Sequence, residues 1–481
     1  MPKKKFRPYT PDQSFLLPPS PREWLEKDHL AYFLLDLVPQ LDLSEIFASY
    51  ERELRGYPPH DPRMMVCLLL YGYCTGVSSA RKIHRKTYED VAFRVLAGGH
   101  HPDHTSISDF RNRHKVAFHR LFLQVVELCR EVGMGGLGRV AIDGTKRQAN
   151  ASKHKAMSFQ RMKEEEERLS KIIEEILEEA EAVDRAEDEA ERRGELPQMP
   201  EELRHPETRR EKIREALEAL KAEAKASKEH EKKTKQAKKQ AKEKRYRPAS
   251  PEDSEEAKET DPDQAKLPFH KVQAYADGTP KPKSQRNFTD PESRIMKTGN
   301  GYIQGYNCQI VVSEESQIIL AQAVTNQPPD PEHLPALLER VFESCGEYPE
   351  ELLGDAGYFS EDNVTYCEER LVEPYLSTAR QKHNTPRPKV RGRPPANQTP
   401  KQAMARKLAT RAGARVYARR KAIVEPVFGL LKEVLGFRRF LQRGLEKVRN
   451  EFTLECLAHN LRKLHRRIVS EACAPAHLQA A

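Results

Sequence analysis

The sequence predicts an α/β chain in three parts: a mixed sheet flanked by helices, an all-α domain preceding it, and a charged helical hairpin inserted into it. Three observations predict this. Apolar residues recur at three-to-four spacing through residues 22–132, with no strand-like alternation. Four apolar runs of strand length follow: RVAIDGT (139–145), YIQGYNCQIVV (302–312), IILAQAVT (318–325) and ELLGDAGYFS (351–360). Between the first run and the second, residues 161–250 hold 24 basic and 25 acidic side chains, a density far above that of the rest of the chain.

Taken in order, residues 1–132 form a helical N-terminal domain. EWLEKDHLAYFLLDLV presents Leu25, Leu30, Phe33, Leu34 and Leu37 on one helix face. A second helix covers 61–74. A third, SSARKIHRKTYEDVAFRVL, opens at Ser78 or Ser79. A fourth, TSISDFRNRHKVAFHRLFLQVVELCREVG, buries Phe118, Leu121, Phe122, Val125 and Leu128. Its first turns carry Arg111, Arg113 and Lys115, basic residues suited to a helix that enters a DNA groove or, equally, to a solvated bundle surface. GMGGLG (133–138) matches a dinucleotide fingerprint in letters only, because it follows a helix and precedes a strand.

Residues 139–158 begin the sheet domain and residues 266–468 complete it. SEES turns the strand at 302–312 into its partner at 318–325, PEHLPALLERVFESC is an amphipathic helix, and residues from about 403 to Leu464 are helical with breaks near Gly436 and Gly444. The intervening 159–265 is the insertion. Leu169, Ile173, Ile176, Leu177, Ala180 and Val183 mark one arm, and Ile213, Leu217, Leu220 and Ala224 the other; Gly194, Pro197, Pro200 and Pro206 break between them. The two arms are expected to bury only each other.

Composition excludes several classes. The longest apolar run, MMVCLLLYGYC (64–74), is far short of the roughly 20 residues of a membrane span. The N-terminus has no apolar signal region, and the eight cysteines are scattered without a C-x-x-C pair, which fits a reducing cytoplasm and no zinc module. No Walker A motif is present. Between Arg380 and Arg449, 20 Lys and Arg face three acidic residues, an excess that calls for a polyanion such as nucleic acid.

Those three acids include the informative one. Asp143 and Asp355 share a setting, each at the end of a short apolar strand and followed by Gly or Ala-Gly. Two carboxylates converging at a sheet edge cannot both stay ionised cheaply unless a hard cation such as Mg²⁺ lies between them. Glu425, in VEPVFGLLK near the start of a basic helix, is the third carboxylate such an ion would need.

AIDGT (141–145), GDAGYFS (354–360) and YARRKAIVEPVFGLLK (417–432), with HTSISDFRNRH (104–114) before them, resemble DDE-type transposases of bacterial insertion sequences, in particular those with a VEPVFG glutamate segment. The resemblance spans about 20–158 and 265–465. It implies an RNase H-like catalytic domain in which Asp143, Asp355 and Glu425 hold two Mg²⁺ or Mn²⁺ ions for cleavage of double-stranded DNA at the element's ends and joining to target DNA. It also implies a cytoplasmic protein acting as a homodimer on DNA, without membrane contact. Related families carry a Tyr–Arg–Glu–Lys signature on the glutamate helix. Here Lys421 stands four residues before Glu425, Tyr417 and Arg420 each lie one residue further out than the pattern, and Lys432 matches it. With Arg438, Arg439 and Arg443 these are the expected DNA contacts, alongside Arg111 and Arg113. A DNA-binding derivative without catalysis and a stand-alone metal-dependent nuclease are the alternative readings of the residues.

Overall fold

The computed structural model describes residues 20, 23–51, 58–188, 204–245, 267–268, 270–299, 301–379, 390, 392–395 and 397–472. They divide into two compact units, residues 1–121 with 461–481 and residues 122–460.

The first unit is helical: α1 (Leu30–Leu37), α2 (Ser44–Glu51), α3 (Pro62–Cys74), α4 (Ala80–Glu89), α5 (Val91–Ala97), α6 (His104–Arg113) and the start of α7 (Lys115–Glu131). α3 is apolar nearly all round, so it is the helix the others surround; Leu68, Leu69 and Tyr73 are fully buried with Leu34, Ile46, Phe93 and Phe118. Two helices expected to be continuous are broken. Asp90 separates α4 from α5 because its carboxylate caps the N–H groups of Ala92 (3.0 Å) and Phe93 (3.4 Å). His114 separates α6 from α7, with its ring packed against Phe110. The first helix starts at Leu30 rather than near residue 22, capped by the His29 ring.

The second unit holds the sheet. Its strands are β1 (Arg139–Gln148), β2 (Ala156–Ser158), β3 (Gln285–Asn287), β4 (Arg294–Thr298), β5 (Gly301–Ser313), β6 (Ile319–Thr325), β7 (Glu351–Gly354) and β8 (Glu373–Leu376). Six of them form one mixed sheet in the order β4-β5-β1-β7-β8, with β6 also paired to β5. β1 lies antiparallel to β5 and parallel to β7, and β7 parallel to β8. β4 and β8 were not foreseen; both are short and lack the alternation that marks a strand in sequence.

The helices of this unit are α8 (Phe159–Asp188) and α9 (Arg204–Arg245), then α10 (Leu334–Cys345), α11 (Glu361–Glu368), α12 (Pro400–Ala409), α13 (Arg411–Gly429) and, as far as Asn460, α14 (Leu445–Ala472); α10, α11, α12 and α13 pack on the sheet. A π-turn at Leu430–Val434 ends α13. Behind the sheet, Arg147 of β1 meets Glu455 of α14 in a fully buried pair, Nη2 to Oε1 at 3.1 Å, with Phe440 stacked 4.1 Å from the guanidinium. Such a pair is maintained by its mutual charge and by the aromatic cover.

α8 and α9 lie against each other, with Glu166 bonded to Arg214 at 2.7 Å, but they do not bury only each other. Phe159, Met162, Leu169, Ile213, Leu217, Leu220 and Ala224 form one cluster with Val272 of the following segment. Glu223 of α9 pairs with Arg286 of β3 and, at 3.0 Å, with the buried Arg294 of β4, and Ser227 Oγ accepts the Val272 N–H. The base of the arm is thus part of the sheet domain. The breakpoints Gly194, Pro197 and Pro200 and residues 380–389 lie outside the described residues.

Candidate active site

β1 is held by β5 along residues 140–148 but by β7 only along residues 139–141. Beyond Ala141 it therefore runs past the end of its parallel neighbour. The register pairs Ala141 with Leu353, and continued by two residues it brings Asp143 level with Asp355. Asp143 is not at a strand end, as the sequence suggested; it lies in mid-strand, because pairing with β5 carries β1 on to Gln148. The strand that ends is β7.

Each carboxylate is fixed by its own loop or strand. Asp143 Oδ1 accepts the Gly144 N–H at 2.8 Å and Oδ2 accepts Arg420 Nη1 at 3.0 Å. Burial pushes the Asp143 carboxyl above the usual carboxylate range; Arg420 opposes this, and the charge of Asp355 adds to it. Asp355 Oδ1 accepts the Gly357 N–H at 2.7 Å, which closes the turn after β7.

α13 packs on β1, β5, β7 and β8 and carries the basic residues to this end of the sheet. Tyr417 is half-buried beside Arg420, while Lys421 and Glu425 are exposed. Pro426 lacks the N–H that would bond Ala422, and the freed carbonyl accepts Gln317 Nε2 at 3.0 Å. Lys432, in the π-turn, donates to Thr145 Oγ1, and burial lowers its pKa. Further on, Arg438 is exposed and paired with Glu433, and Arg439 and Arg443 both bind Asn150.

The structure therefore gathers Asp143, Asp355, Arg420, Thr145 and Lys432. Glu425 is on the same helix but not in the same cluster: among the described residues no three His, Cys, Asp or Glu side chains could share a metal ion. The two aspartates nonetheless fit a hard divalent cation, since they offer oxygen donors at one level and Asp143 already attracts a cationic guanidinium. In the first unit, Arg113 is exposed with its guanidinium over Tyr50. Arg111 is not a surface residue: it is 5% exposed and donates to Tyr73 Oη (3.1 Å) and the Ser78 carbonyl (2.9 Å), so its charge organises the helices around it.

Sequence reasoning missed the other side of the site. Lys146, Asn307 and Gln309 converge on Asp330, each 2.8 Å from its Oδ1, and the buried Tyr358 hydroxyl donates to Gln309. Burial, and then the charges of Asp330, Asp143 and Asp355, push the Tyr358 phenol well above its usual value. In sequence, Asp330 in PPDPEH reads as an ordinary helix-start acid, and no local signal links it to Lys146.

Residues 276–461 match the Transposase DDE domain family, and residues 19–113 match the Transposase domain (DUF772) family. The first match includes Asp355, Arg420 and Glu425 and begins after Asp143. No curated protein and no solved structure matches the chain. These two matches define an enzyme of DNA polynucleotidyl transfer. The chain is a DDE-type insertion-sequence transposase. No helix among the described residues is long and apolar enough to cross a membrane.

Proposed function

We propose that this transposase cleaves double-stranded DNA at the ends of its element and joins them to target DNA at the Asp143–Asp355 end of an RNase H-like sheet. The observation that carries the reading is the shared level of the two aspartates beyond the end of β7, with a cationic side chain already drawn to one of them. Mg²⁺ or Mn²⁺, as two ions, would acidify the attacking water or 3′-hydroxyl and offset charge on the phosphoryl group. Asp143 and Asp355 hold these ions, and Glu425 completes the set as α13 adjusts on DNA. Pro426 and the π-turn after it are the points at which that helix yields.

The exposed basic residues do the holding of DNA. Lys421, Arg438, Arg439 and Arg443 bind backbone phosphate, Tyr417, Arg420 and Lys432 orient the reacting strand, and the helical first unit, with Arg113, chooses the sequence. Two ends require two active sites, which a homodimer supplies.

The test uses the full chain with duplexes carrying the element's terminal repeats. Replacement of Asp143, Asp355 or Glu425 by Ala abolishes nicking in Mg²⁺ or Mn²⁺ and leaves duplex binding in place. Cleavage by the Asp143 or Asp355 variant would overturn this site, and cleavage by the Glu425 variant would remove the glutamate from it.

A further inference from the structure

Asp330 lies at the N-terminal approach to α10, remote in sequence from both aspartates, and no expectation attached to it. Its surroundings are asymmetric. Oδ1 receives Lys146 Nζ from β1 and the side-chain amides of Asn307 and Gln309 from β5, all at 2.8 Å. Asn307 and Gln309 are fully buried, and Gln309 Nε2 also bonds Asn307 Oδ1 at 2.8 Å, so the donors are themselves fixed. Three donors on one oxygen set the rotation of the carboxylate and leave Oδ2 facing the turn after β7.

Gly357 shows where Oδ2 points. A Cβ at this residue would lie 2.9 Å from Asp355 Oδ1 and 3.2 Å from Asp330 Oδ2, so the two carboxylates border the same small space. Gly357 has no positive φ; it is required here by the approach of the carboxylates and not by its backbone. A second close approach continues the arrangement, since a Cβ at Gly144, next to Asp143, would strike the Gln309 side chain at 2.4 Å. The Asp330 network thus touches β1, which carries Asp143, and the turn after β7, which carries Asp355.

We propose that Asp330 is a positioning residue for the cation-holding pair: anchored through Oδ1 by Lys146, Asn307 and Gln309, it sets the Asp355 carboxylate through the Gly357 turn and adds negative charge behind it. Its like charge disfavours rotation of Asp355 toward α10 and keeps that carboxylate on the side of Asp143. Partners of this kind, which orient ligands without touching the ion, change metal affinity by about ten- to a hundredfold when removed. Against the effect of its burial, Lys146 and the Asn307 amide hold the Asp330 carboxyl below its usual value.

This inference rests on Asp143 and Asp355 as the ion-holding residues, and the experiment separates the two. Mn²⁺ binding to the full chain without DNA is followed by calorimetry for the wild type and for Asp355→Ala, Asp330→Asn and Gly357→Ala, with thermal unfolding checked for each. Asp355→Ala loses Mn²⁺ binding; retention would overturn the pair itself. Asp330→Asn keeps the shape and removes the charge, and weakens Mn²⁺ binding about tenfold. Wild-type affinity in that variant, with Asp355→Ala inactive in binding, would overturn the role of Asp330 alone. If Asp330→Asn does not fold, Gly357→Ala decides: it displaces the carboxylates from each other and weakens Mn²⁺ binding, whereas unchanged affinity would overturn the proposal.

Discussion

Arg420 donates to Asp143 across 277 residues of sequence, Nη1 to Oδ2 at 3.0 Å, and this one ion pair joins the basic helix to the central strand. Burial raises the Asp143 carboxyl above its usual value, and the guanidinium opposes that rise. Asp143 thus has a cationic partner already, and a divalent cation held there as proposed would compete with Arg420 for the same oxygen.

Removing that competitor has a definite sign. Arg420→Gln strengthens Mn²⁺ binding about tenfold, the gain expected when a nearby positive charge is withdrawn from a partly solvated site. DNA cleavage nevertheless falls, since the guanidinium is then missing from the reacting strand. Calorimetric titration of the variant checks this, and weaker Mn²⁺ binding would show that Arg420 organises Asp143 and does not compete for it.

For DNA, the informative residues are Arg438 and Arg439, which are exposed and bonded to Glu433 and Asn150. Their joint replacement by Ala weakens binding to all duplexes alike and reduces the slope of log affinity against log salt by about 0.9 per lost phosphate contact. A change in which sequence is preferred would place base recognition here instead of in the helical unit.

The insertion behaves as two pieces. Removing residues 165–250 strips Arg294, a buried cation, of Glu223 and opens the Phe159–Val272 cluster, so the shortened chain aggregates or unfolds at much lower temperature. Removing only residues 177–203, with a short Gly/Ser linker, leaves these contacts and changes the melting temperature little. Thermal unfolding of both deletions, monitored by circular dichroism, distinguishes this from an arm that is dispensable as a whole.

His333 makes stability pH-dependent. It is fully buried, bonded to Thr325 Oγ1 at 2.7 Å, and burial lowers its pKa to about 4. An unfolded histidine titrates near 6.5. Between these values the unfolded chain binds more protons, so stability present above about 6.5 is lost as the pH falls toward 4, by up to roughly 3 kcal/mol. Urea unfolding at pH 7 and pH 4.5 measures the loss, and His333→Asn makes it smaller. Parallel pH curves for variant and wild type would show that other groups, such as His114 or His270, cause it.

What the sequence determined by itself was whatever is written locally. The helical spacing in residues 22–132, the 302–325 hairpin, the insertion beginning at Phe159 and the helix breaks near Gly436 and Gly444 all depend on neighbours within a few residues. The candidate acids were legible for the same reason: Asp143, Asp355 and Glu425 each stand in a distinctive short segment. Tertiary structure decided which of these residues meet. The β1–β7 register sets Asp143 against Asp355, α13 delivers Arg420 to them, and Asp330 acquires Lys146, Asn307 and Gln309 from two other strands. It also withdrew Arg111 from the surface and tied the charged arm to the sheet through Glu223. The physical reason is that ion pairs and buried polar contacts depend on distances between segments far apart in the chain, and those distances exist only once the sheet has fixed which strands are neighbours.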